Sequence, residues 1–395
     1  MTDNPVAGDA AVDLLVIGGG PAGHSAVQAY RQAGGKGRVL LISADDAQPY
    51  HRPPLSKDYL RGETELEDLP LESSTYYQDN SIELWLSDPV TQLDLGTATA
   101  RTGSGRAVDY RRCVLATGAT PAVLPVPGAE HTDVLRLRLL ADAKLLRAAA
   151  DGANTAVVVG SGFIGCEAAV SLSMRGLDVT MLSTEELPQL ERLGRAAAER
   201  IAGWLVDAGV KLRGGVTVQA IENGRTVRTD DGAVEADLIL SAAGVTANSA
   251  LAEAAGLETL NGRILVDRQM ATSAPGVFAA GDVVLAHNAA AGRRLKVEHW
   301  GEALKMGEIA GTNAAGGDDA WTDVPGFWSG IGDRTLKYTA WGDGFDHDQV
   351  IDHQGGGFSV WYSRAGRTVG VLTHQADDDY ERGAQLIANG APPPV

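Results

Sequence analysis

The sequence predicts an α/β protein: two copies of one strand–loop–helix domain, then a small α+β domain at the C-terminal end. Three observations predict it. An apolar run from Val12 to Ile17 leads into Gly18-Gly-Gly-Pro-Ala-Gly23 and a helix-like run from His24 to Ala33. A second apolar run, Ala156 to Val159, leads into Gly160, Gly162 and Gly165 and a small-residue helix to Met174. From Ala320 onward the texture changes to short alternating runs around Trp321, Trp328, Trp341 and Trp361, separated by Gly and Asp.

The first run suits a strand buried in a parallel sheet. Gly18, Gly20 and Gly23, with Pro21 and Ala22 between them, give G-x-G-x-x-G at the strand-to-helix turn. The first glycine makes the turn, the second lets a pyrophosphate approach the backbone, and the third lets helix pack on strand. Free N–H groups and the positive dipole end of the helix then hold phosphate charge. One such loop is weak evidence, because any βα unit can carry glycines. Two loops that start 142 residues apart, about one domain length, form an internal repeat. The repeat predicts two Rossmann-like domains and two bound dinucleotides.

At 395 residues the chain suits two or three domains with large cores, and its 49 glycines fit short βα turns. No apolar run approaches the length of a membrane span. The start, Met1-Thr-Asp-Asn-Pro5, has neither the basic end nor the apolar core of a signal peptide, which predicts a cytoplasmic protein without membrane contact. A net charge of −18 argues against nucleic acid as a general partner. The two cysteines, Cys113 and Cys166, form no C-x-x-C pair. This speaks against a redox-active disulfide and a cysteine metal site, and both read as packing residues.

Along the chain, Arg38 to Ile42 is the second strand, after which an acidic residue usually binds ribose hydroxyls. Counting 21 on from Gly23 gives Ala44, with Asp45 just behind as the candidate. Pro49 to Lys57 is a proline-stiffened connector entering a helix near Ser56, which is placed to cap it. Ser81 to Asp109 reads as a small antiparallel excursion. Cys113 to Gly118 is a strand ending in a tight turn, and Pro121, Pro125 and Pro127 mark a linker. Ala141 to Ala150 is helical in pattern. Val179 to Leu182 ends at Ser183, where an acid would favour NAD over NADP. Ser183 can accept either nucleotide, no Arg or Lys adjoins it, and Glu185 and Glu186 behind it tilt the reading to NAD. Asp237 to Gly244, Arg263 to Asp267 and Gly276 to Asp282 return to strand character. Asp282, directly after Ala-Ala-Gly, is placed to accept a hydrogen bond from a sugar-like hydroxyl. A helix follows Val297-Glu-His-Trp300 and runs to Ala315. The last segment reads as a small sheet followed by a helix from Asp378 to Ala388 and a loose tail, Ala391 to Val395. The domain boundaries expected are 1–120 with 245–319 for a discontinuous first dinucleotide-binding domain, 121–244 for the second, and 320–395 for the C-terminal α+β domain.

The order Gly-Gly-Gly-Pro-Ala-Gly, Arg-Pro-Pro-Leu-Ser-Lys, Ala-Thr-Gly, Gly-Ser-Gly-Phe-Ile-Gly-Cys-Glu, Ala-Ala-Gly-Asp, Val-Glu-His-Trp and Phe-Trp-Ser resembles one family. It is that of the FAD-dependent, NADH-oxidising ferredoxin reductases serving Rieske dioxygenases and bacterial cytochromes P450, with a glutathione-reductase-like fold. Apoptosis-inducing factor is a more distant relative. The resemblance covers roughly residues 11 to 330. It implies that Gly18, Gly20, Pro21, Ala22 and Gly23 hold the FAD pyrophosphate with Arg52. Thr117 and Gly118 would line the flavin side, Arg138 would contact FAD, and Gly281 and Asp282 would bind its ribityl chain. Val90 and Ala116 join the same cofactor set. Lys57 and Glu167 would form an ion pair beside flavin N5, the catalytic pair. Gly160, Gly162, Phe163, Ile164 and Gly165, with Ser183 and Gly244, would receive NADH. Glu298 and Trp300 would lie near the nicotinamide or flavin ring, and Trp328 would stack by the isoalloxazine. No metal is implied.

Three departures stand out. Ala44 and Ser183 occupy positions where the family has acidic ribose ligands, and Trp328-Ser-Gly replaces the usual Trp-Ser-Asp. The expected activity is hydride transfer from NADH, with NADPH second, to FAD, and then single electrons to an iron–sulfur protein such as ferredoxin or rubredoxin. Because ferredoxins are usually acidic, such a partner needs cations over the flavin edge, and Arg293, Arg294, Lys296, Arg334 and Lys337 are the candidates. The competing readings are a slow NADH-sensing flavoprotein of the apoptosis-inducing-factor type, which Phe163 favours, and an NADH oxidase or quinone reductase. Either a monomer or a homodimer fits.

Overall fold

A computed structural model describes residues 11–394. The N-terminal pentapeptide read above for targeting, and Val395, lie outside the described residues. The chain divides into two compact units. One runs to Tyr50 and adds Pro70–Ala119 and Ala247–Asp323, and the other holds His51–Leu69, Thr120–Thr246 and Val324–Val395.

The first unit is built on a parallel sheet in the order Ile82–Trp85, Val39–Ile42, Val12–Ile17, Ala107–Leu115, Val277–Ala279. Its central strands are apolar and buried, and helices Pro21–Gln32 and Trp300–Ala314 pack against the sheet. The long strand Ala107–Leu115 changes character along its length. Its first half alternates exposed and buried residues and pairs antiparallel with Thr99–Thr102. Its second half, Cys113 to Leu115, is fully buried and pairs parallel with Val277–Ala279. The excursion expected over 81–109 is therefore only partly antiparallel. Ile82–Trp85 joins the parallel sheet beside Val39–Ile42, because its own short apolar run can complete that edge.

Helix Pro21–Gln32 follows the first strand and lies against helix Trp300–Ala314. Two glycines four residues apart make the approach possible. A Cβ at Gly307 would overlap the carbonyl oxygen of Ala22, and one at Gly311 that of Ala26. Since residues i and i+4 share one helix face, the pair forms a groove for the neighbouring backbone.

The second unit carries the same plan. Its parallel sheet runs Lys211–Arg213, Asp178–Leu182, Thr155–Val159, Leu238–Ser241, Val134–Leu135. An antiparallel meander, Val218–Glu222, Thr226–Thr229 and Gly232–Glu235, shares its core. Val157 and Ile239 of the parallel sheet cluster with Ile221 and Val227 of the meander. Each such buried aliphatic side chain is worth roughly 1.5–3 kcal/mol.

The C-terminal part is a five-stranded antiparallel sheet, in the order Gly326–Ile331, Arg334–Ala340, Arg367–His374, Phe358–Arg364, His347–Asp352, with helix Asp377–Ala388 packed on it. The α+β expectation holds. Its tail is better anchored than its prolines suggest, since Thr368 N–H donates to Ala391 O at 2.8 Å. The proline-rich connector forms a 3-10 turn, Pro53–Ser56, and a short helix, Asp58–Arg61. Both are fastened to helix Phe163–Met174, where Ser171 Oγ donates to Ser56 O and Arg175 Nη1 to Leu60 O, each at 2.8 Å. The architecture is thus α/β, two Rossmann-like dinucleotide folds with a small α+β domain. Among the described residues no helix is long and apolar enough to cross a membrane.

Candidate functional site

In the first unit the glycine loop sits at the carboxyl end of the central strand. Gly18 has φ +123°, a conformation that disfavours side chains, and a Cβ on it would overlap Ala116 O. Gly20 caps helix Pro21–Gln32 with no side-chain hydrogen bond, so the first turn of amides remains for another acceptor. A Cβ at Gly23 would overlap Gly18 O, and Ala22 is buried beside it. At the next strand end, Thr117 Oγ1 donates to Asn248 O at 2.8 Å, Asn248 Nδ2 donates to Thr117 O at 2.9 Å, and Asn248 N–H donates to Gly118 O at 2.9 Å. This three-way lock fixes the turn Ala116 to Gly118. Asp282 is buried just past Val277–Ala279, after Gly281 at φ +82°. Arg263 binds both the carbonyl of Asp282 and the carboxylate of Glu298, which Lys296 Nζ also approaches at 3.4 Å. Arg263 thereby joins Asp282 and Glu298, and Trp300 opens the helix just beyond. Val90 begins the antiparallel strand Val90–Asp94.

Asp45 lies in a tight turn after Ile42. Its N–H donates to Ser43 Oγ at 3.1 Å, and Tyr50 Oη donates to its Oδ2 at 2.8 Å.

The second unit repeats the loop. Gly160 has φ +112°, and a Cβ at Gly165 would overlap Gly160 O. Gly162 caps helix Phe163–Met174 at φ −64°, which any residue adopts, and a Cβ there would meet nothing nearer than Gln189 Nε2 at 4.0 Å. Neither backbone conformation nor packing within the protein requires a glycine at 162. The open space in front of a helix N-terminus is a cradle of the kind a pyrophosphate fills. Ile164 is exposed, and Gly244 has φ +93° with open space around it. Ser183 turns its hydroxyl to Ser161 Oγ at 2.7 Å.

Lys57 and Glu167 come together as the resemblance implied. Lys57 Nζ lies 2.8 Å from Glu167 Oε2, and both side chains are largely buried. Two serines complete the carboxylate. Ser56 Oγ donates to Oε2 at 2.6 Å and Ser329 Oγ donates to Oε1 at 2.7 Å. A buried carboxylate is tolerated only when paired and hydrogen-bonded, and here three donors converge on it. Ser56 is therefore no helix cap. Lys57 precedes the helix Asp58–Arg61, which has no side-chain cap, and the Ser56 hydroxyl is taken by Glu167. Neither serine's role was visible in the sequence, because Ser56 and Ser329 lie 111 and 162 residues from Glu167. Their neighbours in the motifs Leu-Ser-Lys and Trp-Ser were the available signal.

Beside this pair runs a chain of rings. Phe163 meets Phe327 edge-on at 4.8 Å, Phe327 meets Tyr338 at 5.5 Å, and the Arg192 guanidinium lies 5.3 Å from the Phe327 ring centre. Burial pushes the Tyr338 phenol up to about 12. Trp328, on the strand that carries Ser329, is 46% exposed. Arg138 stands before helix Leu140–Asp151, its N–H donating to Asp142 Oδ2 at 3.0 Å. Arg52 precedes the 3-10 turn Pro53–Ser56. Both cysteines are free and buried, and burial pushes both thiols well above their ordinary range.

The sequence model of the pyridine nucleotide-disulphide oxidoreductases matches residues 12–307. Rhodocoxin reductase of Rhodococcus erythropolis is 29% identical over 96% of this chain and 90% of its own length. The 5,5'-dehydrodivanillate O-demethylase ferredoxin reductase subunit of a Sphingobium species is 33% identical over 96% of this chain and 93% of its own. Among solved structures, putidaredoxin reductase in its covalent complex with putidaredoxin superposes with a TM-score of 0.90 at 30% identity, covering 97% of this chain and 94% of that one. These relatives bear out the resemblance to ferredoxin reductases, and the match of fold, glycine loops and sequence means that the chain belongs to the pyridine nucleotide-disulphide oxidoreductase family.

Proposed function

We propose that this protein is a flavoprotein reductase that takes hydride from NADH and delivers single electrons to a small iron–sulfur protein, a ferredoxin or rubredoxin. The observation that carries the reading is the repetition of one glycine loop at the carboxyl end of a central strand in two separate parallel sheets. Ligands of such sheets bind at those strand ends. The loop of the first unit would hold the FAD pyrophosphate on the amides after Gly20, and the loop of the second would hold the nicotinamide dinucleotide at Gly162. FAD, when bound, supplies the step between a two-electron donor and a one-electron acceptor, since it is stable with zero, one or two electrons.

The chain's own residues position rather than react. Lys57 and Glu167, held by Ser56 and Ser329, would present a fixed pair of charges that orients the nicotinamide. The Thr117–Asn248 lock would keep the flavin-side turn rigid. With no dithiol among the described residues and both thiols buried, electrons need no disulfide relay. In keeping with the names of the relatives, the acceptor would be a separate redox protein. Of the candidate cations for its docking, Arg334 pairs with Asp207 at 3.0 Å, Lys337 with Asp377 at 2.8 Å and Lys296 with Glu298 at 3.4 Å, so each of these three would exchange that pair for the acceptor's carboxylates.

The test is anaerobic reduction by NADH followed by mixing with a [2Fe–2S] ferredoxin or, separately, a rubredoxin. Reoxidation by either carrier within a turnover supports the reading. A reduced protein that persists with both carriers yet dimerises would favour the sensing alternative, and one discharged only by oxygen or a quinone would favour the oxidase.

A further inference from the structure

We infer that Glu185, not the residue at the strand end, is the side chain by which this protein selects NADH over NADPH. The inference rests on the nucleotide-binding reading of the second glycine loop.

The two units carry the same turn after the second strand of their parallel sheets. In the first, Gly18 N–H donates to Ile42 O at 2.8 Å, Ser43 follows, and the N–H of Asp45 two residues on donates to Ser43 Oγ at 3.1 Å. In the second, Gly160 N–H donates to Leu182 O at 2.8 Å, Ser183 follows, and the N–H of Glu185 donates to Ser183 Oγ at 3.1 Å. Serine, any residue, acid is thus a structural repeat. The serine hydroxyl accepts the amide of the acid and folds the chain back over the glycine loop. In both units an acid stands two residues after this serine, and in the second unit the serine itself occupies the position where an acidic ribose ligand is expected.

Glu185 is also held in place. Its Oε1 accepts the N–H of Glu191 at 2.8 Å, and Ser161 Oγ, from within the glycine loop, donates to its Oε2 at 3.4 Å. Ser161 is itself fixed, its hydroxyl 2.7 Å from Ser183 Oγ and its carbonyl accepting Gln189 Nε2 at 2.9 Å. The carboxylate is therefore tied to the loop that would carry the pyrophosphate, and each oxygen keeps a lone pair for a ribose hydroxyl. A 2′-phosphate in the same place would face that negative charge. Of the nearby arginines, Arg195 is paired with Glu186 at 2.8 Å, Arg213 with Asp231 at 3.0 Å, and Arg192 lies over the Phe163 and Phe327 rings, 5.8 and 5.3 Å from their centres. Discrimination here comes from a repulsive element as much as from an attractive one.

The experiment titrates the flavin-loaded protein with NAD+ and NADP+ by calorimetry, which reads binding without turnover, and compares Glu185→Gln and Glu185→Asp. Flavin content and thermal midpoint check folding, and Glu185→Ala stands in if the glutamine variant folds poorly. The wild type prefers NAD+, E185D keeps the preference, and E185Q narrows it by about tenfold or more, the worth of one hydrogen bond to a charged group. An NAD+ to NADP+ ratio within twofold of wild type in both E185Q and E185A would overturn the inference while leaving the enzyme reading intact. A wild-type protein that binds neither nucleotide would overturn both.

Discussion

Replacing Ser329 with alanine tests the Glu167 site where its geometry is least redundant. The two carboxylate oxygens are served unequally. Oε2 receives Lys57 at 2.8 Å and Ser56 at 2.6 Å, whereas Oε1 receives Ser329 alone among the described residues, at 2.7 Å. Ser329 is 1% exposed, so no bulk water takes over when its hydroxyl is removed. A hydrogen bond to a charged group is worth about 1.5–3 kcal/mol. If that energy serves to hold Glu167 in its working position, S329A lowers the rate of NADH-driven flavin reduction by between about 10-fold and about 100-fold, since 1.36 kcal/mol is a factor of ten. Ser56→Ala leaves Oε2 with its lysine and costs less, about 0.5–1.5 kcal/mol, or between about twofold and about tenfold in rate. The assay is single-turnover, anaerobic stopped-flow reduction followed at the flavin band, with both single variants and the double. Both serines act on one carboxylate, so their effects should not add. An S329A rate within twofold of wild type, or an S56A defect larger than that of S329A, would refute the reasoning.

Three further outcomes follow from the packing. Gly162→Ala should fold normally, because its φ is ordinary and its Cβ enters open space. It should nonetheless weaken NAD+ binding by about tenfold or more if the cradle holds a pyrophosphate, which calorimetry beside a thermal melt would show. Gly311→Ala drives a Cβ into Ala26 O and should destabilise the first unit by about 1–3 kcal/mol, with loss of bound flavin on dilution. Equal melting of variant and wild type would count against that helix contact. The thiolate is the reactive form, and burial raises both thiols, so at pH 8 Cys113 and Cys166 stay protonated and shielded. A thiol reagent should therefore label neither in the folded protein and both after denaturation, and rapid labelling of the folded protein would contradict the buried placement.

Much of this structure is legible in the sequence because its elements depend on local signals. Val12–Ile17 and Thr155–Val159 are apolar runs closed by glycines whose positions are fixed by backbone overlap, so one motif reveals strand, turn and helix together. The alternating runs after Ala320 likewise show a sheet with one covered face. What escapes the sequence is long-range. Nothing in Ile82–Trp85 says that it lies parallel to Val39–Ile42 rather than in a hairpin, since a four-residue strand carries no record of its partner. Prolines mark 49–54 as a rigid connector but not that Ser171 and Arg175 hold Ser56 and Leu60 just after it. The Lys57–Glu167 pair has no sequence signal apart from the family resemblance. The serines that complete it come from distant segments, where a hydroxyl has no sequence signature of its target.

The measurement that bears most directly on the whole account is the colour and redox response of the purified protein. It should be yellow with FAD, and anaerobic mixing with NADH should bleach the flavin band rapidly, with NADPH much slower. A colourless protein that takes up no FAD, or a flavin that neither nucleotide reduces, would contradict the claim that the two glycine loops serve one hydride-transfer enzyme.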